Sequence, residues 1–142
     1  MAKSGPIVII EDDVDDQEII TEVIKELGIP NEIITFFTCP DAFNFLKSTD
    51  KKPFIILCDI NLPKQSGLEF KKQVDNDPYL RKRSIPFIFL STAAGQHPVT
   101  EAYTEMSVQG FFKKPSTVEE LRRAISLIND YWRLCKHPNS EE

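Results

Sequence analysis

Five short apolar runs, none interrupted by a charge, limit this chain more than any other feature. Ile7–Ile10 is the clearest, and Ile33–Phe37, Phe54–Cys58, Ile85–Leu90 and Gly110–Phe112 follow along the 142 residues. Each is short enough for one strand. A strand with one wet face alternates apolar and polar residues, whereas unbroken runs are what parallel strands covered on both faces look like.

Helical patterns fill the intervals. Ile19, Ile20, Val23, Ile24 and Leu27 recur at turn spacing and stop at Gly28, a residue suited to a helix's C-terminal end. Val99, Ala102, Tyr103 and Met106 form a second apolar stripe, and Leu121, Ala124, Ile125, Ile128 and Trp132 a third. Thr38 to Asp41, Ser66 to Glu69 and Ser116 to Glu119 each read hydroxyl-x-x-acid, a pattern that caps the free N–H groups of a helix start. Asp15 and Asp16 read as first-turn acids favoured by the helix dipole. The run Leu80–Arg83 reads as a solvated loop between a helix and a strand. Strand then helix, five times over, predicts an α/β fold, a doubly wound parallel sheet of five strands with five helices. The length suits a single domain, residues 1–142, with a core over about 5–135 and a polar tail at 137–142.

Composition narrows the function classes. Hydrophobic residues at 41% and charged residues at 27% are ordinary for a globular domain and argue against disorder, a fibre or a membrane protein. A formal net charge of -5 favours neither nucleic acid nor an anionic membrane surface. The three cysteines, Cys39, Cys58 and Cys135, are widely spaced, with no Cys-x-x-Cys pair and no histidine at metal spacing. The N-terminus has only a four-residue apolar run after Gly5-Pro6, too short for a signal peptide or a membrane span. A cytoplasmic location is expected.

Right-handed crossovers bring the carboxyl ends of all the strands to one edge of the sheet, where open α/β folds keep their chemistry. Glu11, Asp12 and Asp13 follow the first run, Asp59 ends the third, Ser91 and Thr92 follow the fourth, and Lys113-Lys114-Pro115 the fifth. Two carboxylates about 4 Å apart repel by roughly 4 kcal/mol at an effective dielectric near 20, so a cation is expected among them. All-oxygen ligation with room for water suits Mg²⁺, and zinc fits poorly without His or Cys. With a metal, a lysine and a hydroxyl together, the rim suits phosphoryl transfer. Asp59 would be the nucleophile, Lys114 would offset the like-charge repulsion, and Ser91 would donate to a phosphoryl oxygen.

As a set these residues closely resemble the receiver domains of two-component response regulators. Ile7 to Asp13, Asp59-Ile60-Asn61-Leu62-Pro63 with Gly67, Leu90-Ser91-Thr92-Ala93 and Gly110 to Pro115 match the family's signature blocks in order. The resemblance implies a flavodoxin-like sheet of strand order 2-1-3-4-5 and a phosphoacceptor at Asp59. It makes the acidic pair either Glu11-Asp12 or Asp12-Asp13, the first favoured because Asp13 is well placed to cap the next helix. With that pair, Asp12 is the direct metal ligand, Glu11 acts through water, and the Asn61 carbonyl is a further ligand. Lys114 becomes the phosphate-pairing lysine, Ser91 the switch hydroxyl and Phe111 the switch aromatic, and Lys114–Pro115 looks like the family's cis peptide.

The implied function is a phosphorylation switch of the single-domain, chemotaxis or phosphorelay type. A sensor histidine kinase or histidine phosphotransfer protein donates the phosphoryl group. The domain assists its own phosphorylation and dephosphorylation and is not an enzyme with a separate substrate. Only a short polar stretch follows Lys136, so output by contact with a downstream protein target is expected, from a monomer or weak homodimer. The rival reading is a receiver-like adaptor that works without phosphorylation, against which Asp59, Lys114 and the acidic pair all speak. A haloacid dehalogenase-type hydrolase needs a second acid two residues after its nucleophile, where this chain has Asn61. An FMN carrier of the same topology would not set three acids against a phosphate.

Overall fold

Strands β1 (Ile7–Ile10), β2 (Ile33–Phe36), β3 (Ile55–Asp59), β4 (Phe87–Ser91) and β5 (Gly110–Lys113) lie parallel in the order β2-β1-β3-β4-β5. This is the doubly wound sheet expected, and the computed structural model that gives it describes residues 2–91 and 110–135. The stripe predicted over Val99–Met106, Thr92 and the 137–142 tail lie outside the described residues.

The alternation concealed in the unbroken runs divides the side chains between two faces. Val8, Ile10, Ile56, Cys58, Phe87 and Phe89 form one core with Ala42, Leu46, Phe70, Val74 and Leu80. Ile7, Ile9, Ile55, Leu57, Ile88 and Leu90 form the other with Ile20, Val23, Ile24, Leu121, Ile125 and Ile128. Helices therefore cover both faces. They are α1 (Val14–Glu26), α2 (Cys39–Ser48), α3 (Gly67–Asn76), α4 (Pro78–Arg83) and α5 (Val118–Leu134), numbered over the described residues.

Capping side chains set where most of these helices begin. Asp13, Thr38 and Ser66 are the N-caps of α1, α2 and α3, accepting from the backbone N–H groups of Asp16, Asp41 and Glu69. The cap of α5 is Thr117, which accepts from Glu120 N, so the pattern predicted at Ser116 to Glu119 operates one residue later. Helix α1 ends as expected at Gly28, whose φ of +73° lets Gly28 N donate to Lys25 O and Ile29 N to Ile24 O.

One expectation is overturned. Leu80–Arg83 is not a loop but most of α4, capped by Asp77 and started by Pro78. Leu80, at 1% exposure, plugs this short helix into the core, while Arg81, Lys82 and Arg83 crowd its last turn, where cations suit the dipole. Because Leu80 is the anchor, Leu80→Ala should lower stability by about 3 kcal/mol in urea denaturation, whereas Lys82→Ala should change it by less than about 0.5 kcal/mol.

Candidate functional site

The parallel register delivers β1, β3 and β5 to one rim, with Glu11 just past β1, Asp59 at the end of β3 and Lys114 just past β5. One carboxylate oxygen from each of Glu11, Asp12 and Asp59 lies within 4.8 Å of the others. Glu11 is only 2% exposed. Its backbone continues the sheet through Glu11 N to Phe36 O at 3.0 Å, and its Oε2 accepts from Asp13 N at 3.2 Å. Asp13, the α1 cap, is not in the cluster.

The turn after β3 shapes the wall. Asp59 Oδ1 accepts from Asn61 N at 3.2 Å, and Gly67 N donates to Ile60 O at 2.8 Å, folding the loop back onto the strand end. A Cβ at Gly67 would stand 2.3 Å from the Asp59 carbonyl oxygen, so only glycine permits this approach.

Comparison with known proteins gives this rim its context. The model of the family described as "Response regulator receiver domain" matches residues 7–126. The chain belongs to that family. It is 28% identical over 131 residues to Response regulator Rcp1 of Synechocystis sp., covering 89% of this chain and 87% of Rcp1. The phosphorylated cyanobacterial phytochrome response regulator RcpA superposes with a TM-score of 0.84 at 26% identity, over 94% of this chain and 98% of that one. The Mn²⁺-bound form of Rcp1 gives 0.82 at 27%, over 94% and 99%. The chain is thus a receiver domain of two-component signalling, and it matches relatives such as Rcp1 over most of their length.

In this receiver domain the lysine is shared among carboxylates. Lys114 Nζ donates to Glu11 Oε1 and, at 2.9 Å, to Asp16 Oδ2, and stands 3.8 Å from Asp59 Oδ2. Among the described residues no peptide bond is cis, so Lys114–Pro115 is trans, the form an X–Pro bond ordinarily prefers. Lys114 reaches the cluster from it. Ser91 and Phe111 lie on β4 and β5, backbone-paired with Lys113 and Phe89, and their side chains are outside the described residues. Cys58 is a buried small residue at 1% exposure, its Sγ 3.1 Å from the Asp59 carbonyl oxygen. The contact that pattern reading missed is Asp16 on Lys114, since the dipole already accounted for an acid there.

Burial governs the charges. It pushes the Glu11 carboxyl up to about 7, against the pull of Lys114 and the Asp13 N–H. It also raises the Asp59 carboxyl, with Lys114 and the Asn61 N–H opposing. Burial alone would lower Lys114, but hydrogen bonds to Glu11 and Asp16 outweigh it and hold the ammonium above its usual range. A rim that strains its own anions, with oxygen donors only, fits a hard divalent cation.

The pH dependence follows. Without divalent cations, unfolded Glu11 releases its proton near the ordinary 4.5 and folded Glu11 near about 7. Between those values the native state holds the extra proton, so stability should fall as pH rises and level off above 7, a loss of order 3 kcal/mol. Urea denaturation in EDTA from pH 5 to pH 8 checks this, and a flat or rising profile would contradict it.

Proposed function

We propose that Asp59 is the phosphoacceptor of a two-component switch, receiving its phosphoryl group from a phosphohistidine on a sensor kinase or phosphotransfer protein. The observation that carries this is the Asp59 carboxylate clustered with those of Glu11 and Asp12 at the end of β3, with the Lys114 ammonium 3.8 Å away. An Asp59 oxygen forms the new O–P bond as the donor's N–P bond breaks, and the electron pair leaves on the imidazole nitrogen. Phosphorylated RcpA is a precedent among similar structures.

The proposed cofactor is Mg²⁺, held by Asp12 and Asp59 directly, by Glu11 through water and by the Asn61 carbonyl. Bound there, it would neutralise charge on the equatorial phosphoryl oxygens and relieve the repulsion among the acids. Mn²⁺-bound Rcp1 supports a divalent site in a relative. Lys114 would help neutralise the transferring group, and the Ser91 hydroxyl would donate to it once attached. Phe111 then turns inward, and the altered face is read by a downstream protein in trans. Among the described residues no helix is long and apolar enough to cross a membrane, and the free cysteines suit the reducing cytoplasm proposed for this switch.

Incubation with acetyl phosphate and Mg²⁺ should give an acid-stable, base-labile label on Asp59, absent without the metal. A wild-type chain that stays unlabelled would instead favour the adaptor reading. Asp59→Asn should abolish the label and raise metal-free stability by about 1 kcal/mol in urea, because it removes a charge that burial disfavours. Lys114→Ala should slow labelling on the order of tenfold or more while still binding Mg²⁺.

A further inference from the structure

Asp16 occupies the first turn of α1, where the helix dipole would favour an acid whatever its side chain touched. Its side chain nevertheless reaches across the rim to Lys114, 98 positions away, at 2.9 Å. The ammonium is therefore held by Glu11 and Asp16, and of the three carboxylates paired with it Asp59 is the farthest, at 3.8 Å. The side chain of Lys114 is only 12% exposed, so it cannot drop one carboxylate for bulk water without loss. Any partner it leaves has to be replaced by another.

We infer that Asp16 is a positioning residue that keeps Lys114 at a resting station away from Asp59. The lysine then has to exchange the Asp16 carboxylate for a phosphoryl oxygen when Asp59 is modified. This inference rests on Asp59 being the phosphoacceptor and concerns the regulation of that same site. Asp16 makes the switch harder to throw, since the contact it offers exists only in the unmodified state. Its own side chain is 42% exposed, so a pair this open is worth a factor of about two to five in an equilibrium constant.

Beryllofluoride with Mg²⁺, titrated into the full chain and followed by amide spectra, mimics the acyl phosphate without covalent chemistry. Asp16→Asn keeps the cap of α1, because that bond runs from Asp16 N to Asp13 Oδ1. It should bind beryllofluoride about two- to fivefold more tightly than wild type, and Asp16→Glu should return toward wild type. Asp15→Asn, which removes an equal charge from the same turn, should change nothing. In a Lys114→Ala background Asp16→Asn should also have no effect. An unchanged or weaker affinity in Asp16→Asn overturns the inference, as does a gain that persists without Lys114 and so reflects charge alone. A wild-type chain that fails to bind Mg²⁺ and beryllofluoride would overturn the phosphoacceptor reading itself, and the Asp16 inference with it.

Discussion

A glutamate at 2% exposure, sitting under two other carboxylates, needs a counter-charge from somewhere. Lys114 supplies it, arriving from β5 at the far edge of the sheet. Much else at the rim follows from that demand. The lysine is drawn toward Glu11 and away from full engagement with Asp59, whose carboxylate is left only partly compensated. A site balanced in this way answers readily to any added positive charge.

The fold accommodates such crowding because, among the described residues, the acidic cluster and Lys114 gather at the carboxyl edge while the cores lie below it. Parallel pairing sets Ile10 beside Cys58 and Asp59 beside Leu90, so the strand tips are level and the acids that follow them meet. Below that level β1, β3 and β4 are sealed by apolar side chains on both faces. Electrostatic strain at the tips is thus carried by a stiff base.

Much of this was legible in the sequence, because strands buried on both faces show as unbroken apolar runs and because topology alone brings Glu11, Asp12 and Asp59 together. The misreadings have physical causes. Six residues with one buried apolar side chain have no periodicity, so α4 was hidden, although Asp77-Pro78 carried the signal of a cap followed by proline. Ser116 and Thr117 both precede an acid at the right spacing, and pattern cannot choose between adjacent hydroxyls. The tie from Asp16 to Lys114 spans two elements remote in the chain, and no local rule reports it.

The two hydrophobic layers share no side chains, since each strand residue points to one face or the other. Substitutions such as one at Ile24 and one at Phe70 are therefore separated by the sheet backbone and have no partner in common. Their effects on the free energy of unfolding add, while two changes within one layer are coupled through the neighbours they share. For the evolution of such a chain, each layer can drift and repack on its own schedule while the acid-lined tips stay level.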